Sequence, residues 1–297
     1  MTETRIRVKQ NARLILKNNW SKAIMILLII NLLAIAISAL EYAYSNAFQI
    51  KSVYDFQNLS VTLNEVYIST GVTFVFTILT LLLTTPLKLG QAEWYWKLTE
   101  RKPQGVEGIF EWFGSLRLYA KSLWLNIYIG IRALPWVLLT IGIPLSIIYG
   151  SLYVFTSNPK NTQIDLLCSL LMILGFGLLI CGIILYFFIM TRYFLANYLL
   201  VEDNKRKVTE CVRNSIKYSK GKRSEIFIFQ LSFIAWGFLC IVGIFILVGT
   251  PLLLFVMPYY YSSCAVYAKY IIFSARAPQD GIISDNTIKF DKQHTNS

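Results

Sequence analysis

Apolar runs long enough to cross a bilayer recur along this chain, and they limit its fold more than any other feature. Ala23 to Leu40 is 18 residues without a charge. A hydrocarbon core needs about 20 mostly apolar helical residues. Similar stretches follow near 71–89, 127–150, 166–190, 226–248 and 252–273. Inside hydrocarbon every backbone N–H and C=O must be paired within the protein, which a helix does locally. The runs therefore predict an all-α, multi-pass membrane protein of six transmembrane helices. Residues 1–275 form one membrane domain, and 276–297 a polar tail. Charged residues make up only 15% of the chain, against about 25% in soluble domains. The first run is too long for a signal peptide and lacks an Ala-x-Ala site after it, so it reads as a retained span with Trp20 at the interface.

Charge sets the orientation. Loops on the cytoplasmic side are enriched in Lys and Arg. Segments 1–22, 88–121, 191–225 and 269–297 hold 25 of the 28 basic residues, and the opposite side holds Lys51 and Lys160. Both termini are expected in the cytoplasm. The net charge of +12 is accounted for by this positive-inside pattern, with no nucleic-acid partner required. Glu41–Thr70 and Gly150–Asp165 read as outer loops, and Gly249-Thr250-Pro251 as a tight turn between the last two spans. In 91–121, Trp94, Trp96 and Trp112 are mixed with basic residues, a composition that predicts in-plane helices at the headgroup level.

The densest charge lies between the fourth and fifth spans. Lys205, Arg206, Lys207, Arg213, Lys217, Lys220, Lys222 and Arg223 are accompanied by one acid, Glu210. Val208, Cys211, Val212, Ser215, Ile216 and Ser219 fall on one stripe at helical spacing, and Gly221 follows where a helix would stop. This predicts a basic amphipathic helix on a membrane surface, with Glu202-Asp203 at its positive dipole end. Its charge offers a surface for anionic lipid headgroups or a membrane-protein partner; topology alone also accounts for it.

Arg13-x-x-x-Lys17, Arg117-x-x-x-Lys121 and Arg213-x-x-x-Lys217 precede the first, third and fifth spans. Lys97 and Lys269 each stand eleven residues after a proline, Pro86 and Pro258, with the small residues Gly90 and Ser262 at the fourth position. Two readings fit: three two-helix hairpin repeats, each led by an in-plane basic helix, or coincidence among basic juxtamembrane helices.

Chemistry-bearing motifs are scarce. The only histidine is His294, there is no Cys-x-x-Cys, and Gly221-Lys222 lacks the rest of a phosphate-binding loop. Glu107 and Glu111 fit a solvated face. No catalytic, cofactor-binding or metal residues are assigned, and the chain is read as a non-enzyme. Arg132 is the candidate intramembrane polar site. It is either functional, as ionisable groups within spans commonly are, or snorkels to the interface.

Several short matches carry a family resemblance: Ala12-Arg13 through Asn19-Trp20, Tyr193-x-x-Ala196-x-Tyr198-Leu199 before Asp203-Asn204, Lys220-Gly221-Lys222, Leu231-Ser232-Phe233-Ile234-x-Trp236 and Pro258-Tyr259-Tyr260. On these the chain resembles the bacterial integral membrane family filed as domain of unknown function nine-seven-five, common in Gram-positive species. Ile184-Leu185-Tyr186-Phe187 stands where that family often has Pro-Gly and a break in the fourth span. The resemblance implies the bacterial cytoplasmic membrane and supplies no activity. A looser likeness to the membrane domain attached to some glycerophosphodiester phosphodiesterases implies work near lipid headgroups. The function expected is that of an accessory or interaction protein at the anionic inner leaflet. The alternative is a transporter or channel-like protein for a small or lipidic substrate.

Overall fold

The computed structural model describes residues 2–48, 63–102, 104–157, 162–244 and 249–276. Lys51, Lys160 and the tail beyond Arg276 lie outside the described residues. α1 (Thr2–Leu16) turns through Asn19, whose side-chain amide donates to Ile15 O at 3.3 Å, into α2 (Trp20–Ala47). α3 (Leu63–Thr99) leads to a 3₁₀ segment, Val106–Phe113. α4 (Leu116–Val137) starts at Ser115, whose hydroxyl accepts the Leu118 N–H at 3.3 Å, an N-cap of the usual kind. A π-helical turn, Leu138–Gly142, joins it to α5 (Ile143–Ser157). α6 (Thr162–Met190) passes through a 3₁₀ turn, Thr191–Tyr193, to α7 (Ala196–Glu202). α8 (Val208–Ser219), α9 (Arg223–Ile244) and α10 (Gly249–Arg276) complete the chain.

Among the described residues, five stretches are long and apolar enough to cross a membrane: Trp20–Ala47, Tyr67–Thr99, Leu116–Ser157, Gln163–Glu202 and Arg223–Cys240. α10 has 28 residues but is not among the five. Tyr259, Tyr260, Tyr261, Ser262 and Ser263 make its middle less apolar. The helices overrun the expected spans. α2 and α3 shorten the first outer loop from both sides, and α5 runs to Ser157, well into the second. Gly249-Thr250-Pro251 opens α10 instead of forming a free turn, and residues 245–248 lie outside the described set. Proline suits a helix's first turn, where its missing N–H has no partner to lose. Ile184–Phe187 lies in unbroken helix, and the interruption comes later, at Thr191–Tyr193.

Burial is concentrated where the basic residues gather. One core joins Val8, Ala12 and Leu16 of α1, Leu87 to Leu98 of α3, Trp112, the α7 segment, and the inner faces of α8, α9 and α10. The far halves of the spans are mostly exposed, among them Phe74, Val75, Leu139, Tyr153, Leu170 and Ile173. Trp94, Trp96 and Trp112 are 1–3% exposed, so they are core residues and not headgroup anchors. Residues 91–99 continue α3 and form no separate in-plane helix. Trp112 Nε1 donates to Glu93 at 2.6 Å, and Lys97 bridges Glu93 and Glu111. Glu111 is thus an ion-pair partner, more than a solvated acid.

The amphipathic elements pack in a closed order. α1 lies on α10, the 3₁₀ segment on α3, and α8 on α7 and the turn before it. Two glycines allow the closest approaches to a neighbouring backbone among the described residues. A Cβ on Gly90 would stand 2.0 Å from Ile109 O, and one on Gly182 would stand 1.9 Å from Thr140 O. Thr140 precedes Pro144 by four residues, so that carbonyl lacks the usual helical donor and faces the bare Cα of α6. Pro86 similarly leaves Leu82 O without its donor; Tyr119 OH donates to it at 3.3 Å.

Candidate functional site

α8 forms as its stripe predicts, but that stripe covers protein. Val208, Cys211, Val212, Ser215 and Ser219 are buried, and Ser215 Oγ donates to Arg192 O at 2.8 Å. The apolar face therefore does not lie on lipid; it seals the core around the 191–193 turn. Burial pushes the Cys211 thiol up to about 11, against the opposing pull of Arg206. Gly221 has φ +83°, a left-handed conformation that glycine adopts without strain, and it ends α8. The cap differs from expectation as well. Lys207 occupies the N-cap without a side-chain bond. Glu202 instead accepts from Arg276 Nη1 at 2.6 Å and from Arg206 at 3.4 Å, tying the end of α7 to the end of α10. Asp203 Oδ1 accepts the Lys205 N–H at 3.0 Å, an Asx turn that shapes the loop into α8.

That loop and α4 enclose an open cleft of about 760 Å³, lined by Tyr128, Arg132, Lys205, Arg206, Lys207, Thr209, Glu210 and Arg213. Lys121 Nζ donates to Asn204 O and to Arg206 O, the latter at 3.1 Å, and so fastens the loop to α4. The Arg132 guanidinium lies over the Tyr128 ring, 4.8 Å from its centre, an attraction that orients it without consuming its charge. Arg206 is partly neutralised by Glu202 and Asp203. Arg132, Lys205, Lys207 and Arg213 make no ion pair among the described residues. Five cations therefore face one acid, Glu210, across a cleft with an aromatic wall. A phosphate accepts well from such forked and point donors.

The two sites read separately from the sequence are thus partly one. Lys205, Arg206, Lys207 and Arg213 join Arg132; Lys217 and Lys220 are exposed elsewhere, and Lys222 and Arg223 are half-buried. Lys222 donates to Ser274 Oγ at 2.6 Å and sits over Tyr270; burial pulls its ammonium below the ordinary lysine range. It fastens α9 to α10. Tyr128 went unassigned, although it precedes Arg132 by four residues, a spacing that places both on one helix face. Thr209 carried no local signal. Among the polar residues within spans, which include Asn31, Gln230 and Ser232, Asn31 bonds back to Leu27 O of its own helix, while Ser232 accepts from Lys9 at 2.9 Å.

No curated protein and no solved structure matches the chain. The profile of the family described as "Protein of unknown function (DUF975)" matches residues 1–274, and the chain belongs to that family.

Proposed function

We propose that this is a non-enzymatic protein of the bacterial cytoplasmic membrane that engages anionic lipid headgroups, alone or with a membrane-protein partner, at the inner leaflet. Its termini are cytoplasmic, and α10 is a sixth span. One observation carries the reading: Arg132 shares a cleft with Lys205, Arg206, Lys207 and Arg213, with one acid among them. Each Lys or Arg near an anionic leaflet contributes about 1 kcal/mol, so the cleft supplies about 3–4 kcal/mol after allowance for Arg206 and Glu210. Arg132 stands beside other cations at the basic end instead of alone in a mid-membrane cavity, which supports a headgroup role over a transport path.

The test is lipid retention after purification in mild detergent. R132Q/K207Q/R213Q should lower the ratio of retained anionic to zwitterionic phospholipid by at least about tenfold, given about 1 kcal/mol for each charge. An unchanged ratio would remove the headgroup role. A reporter fused after Ser297 that is active only outside the cell would overturn the orientation.

The packing order also supports three hairpin repeats joined in a ring. The 3₁₀ segment lies on α3, α8 lies on the turn and α7 that continue α6, and α1 closes the ring on α10. Gly90 and Ser262, the fourth residues from Pro86 and Pro258, both meet a neighbour's backbone carbonyl, at Ile109 and Ala12. An oxidant should cross-link A12C/S262C within the monomer, as mass spectrometry can read. Failure of that pair to close would break the ring.

A further inference from the structure

A second cleft, of about 370 Å³, opens between the α3 segment after Pro86, α4, the 190–198 turn and α10 after Pro258. That volume falls within the range of small-molecule sites. Three of its four walls sit beside a proline or a helix interruption, where regular packing gives way. Its uncharged polar groups are hydroxyls, amides and a thiol, which can donate as well as accept. Lys88 is its one cation, no carboxylate lines it, and Lys88 makes no ion pair among the described residues. Asn126 Nδ2 donates to Thr85 Oγ1 at 3.1 Å. That leaves the Thr85 hydroxyl proton free to be given away, because a hydroxyl both accepts and donates. The Asn197 amide and the Tyr260 and Tyr261 side chains complete the polar side.

The remaining wall is apolar, with Leu125, Ile129 and Met190. On α3 the helical stripe that holds Lys88 and Thr85 continues through the exposed side chains Leu81 and Ile78, so an apolar chain can leave the cleft along α3. We infer that this cleft binds a monoanionic amphiphile: one negatively charged oxygen head at Lys88, held by the surrounding amide and hydroxyl groups, with its hydrocarbon chain along α3. A single uncompensated cation matches a single negative charge. The Arg132 cleft, with its excess of cations, suits a more highly charged surface, and the two sites share no residue.

The probe is a diazirine-bearing palmitate, photolysed on the detergent-purified protein and mapped by mass spectrometry. Adducts are expected at Thr85, Leu125, Ile129 and Met190, which line the cleft, and at Leu81 and Ile78 beyond it. K88Q should reduce them by about fivefold while K88R keeps them, and the corresponding neutral diazirine alcohol should give lipid-facing adducts only. Equal yields from a diazirine-bearing phosphatidylglycerol would assign the head to a membrane phospholipid; preference for the palmitate would assign it to a free fatty acid. R132Q/K207Q/R213Q should leave these yields unchanged, so failure of the headgroup reading and failure of this one are separable. Cleft adducts that are insensitive to K88Q, or as abundant with the neutral alcohol, would overturn the inference.

Discussion

The two ends of the helical bundle are built on different principles. At the basic end, α1, the 3₁₀ segment, α7 and α8 fill the spaces between the long helices, and Trp94, Trp112, Tyr95 and Tyr267 are almost fully buried. At the other end the same helices meet mainly in pairs and show Leu, Ile and Phe to their surroundings. Buried protein contacts hold the first end. The second is shaped for lipid, which solvates an apolar side chain as well as another helix does. Basic residues belong to the first end structurally as well as electrostatically. Lys22 donates to Gln104 O at 3.3 Å and Lys269 to Thr99 O at 3.2 Å. With Lys121, Lys222 and Arg276 they join elements far apart in sequence. A cation bonded to the carbonyls at a helix's C-terminal end also meets the negative end of its dipole.

The contrast can be broken most severely at Gly90. G90V sets carbon where Ile109 O already stands, and overpacking of this kind costs about 3 kcal/mol or more. Loss of folded protein in detergent, seen as an early aggregated peak on size exclusion, is the expected result. Cysteines give the next largest effect. Cys211 is buried and Cys181 is exposed. A thiol moved from 9.0 to about 11 is about a hundredfold less ionised near neutral pH, and the thiolate is the reactive form. The sign is clear: Cys211 should gain reactivity only as pH rises towards 11, or on unfolding. Maleimide kinetics in detergent should therefore show Cys211 modified slowly at pH 7 and rapidly once the protein is unfolded; Cys181 lies on the lipid-facing surface of α6 and gives no aqueous reference. Rapid labelling of Cys211 at pH 7 would deny that α8 is sealed against the core.

A smaller loss is expected for E202Q. It weakens the tie between α7 and α10, and a charged hydrogen bond contributes about 1.5–3 kcal/mol; partial exposure puts the loss near the lower figure. Thermal unfolding should reveal it, and R276Q should not add to it, because both remove one interaction. At the lipid-facing end G177A should have almost no effect, since nothing lies within 4 Å of the added Cβ. A drop in stability there comparable to that of E202Q would mean that the far end is packed more closely than the exposed surface indicates.

Helix content, the presence of membrane-length apolar helices and the α8 stripe were legible because each rests on the local pattern of the sequence. Val208 to Ser219 announces a buried face whether that face meets lipid or protein, and this is where the reading failed. The same ambiguity misplaced Trp94, Trp96 and Trp112. Aromatics beside lysines look alike at a headgroup interface and around a core crossed by cationic straps. Arg132 was legible as an anomalous charge within an apolar run. Its neighbours were not, because Lys205 comes from a loop and Arg213 from α8, both more than 70 residues away. Glu202 and Asp203 stood where capping acids would, but Arg276 and the Lys205 N–H, one of them distant, compete for them more effectively. Lys88 gave no signal beyond being one basic residue near the end of a span. Its significance depends on an acid-free cleft that four separate segments build.

Direct competition between headgroups at the Arg132 cleft tests the central claim. Intrinsic tryptophan fluorescence can be read in nanodiscs as brominated phosphatidylglycerol or brominated phosphatidylcholine replaces the unlabelled lipid; Trp124 is exposed on α4, and Trp136 packs against Arg192. The account predicts stronger quenching by the anionic lipid at equal mole fraction, a preference that falls with salt as surface electrostatics must and is lost in R132Q/K207Q/R213Q but kept in K217Q/K220Q. Equal quenching by the two lipids in the unaltered protein would contradict it.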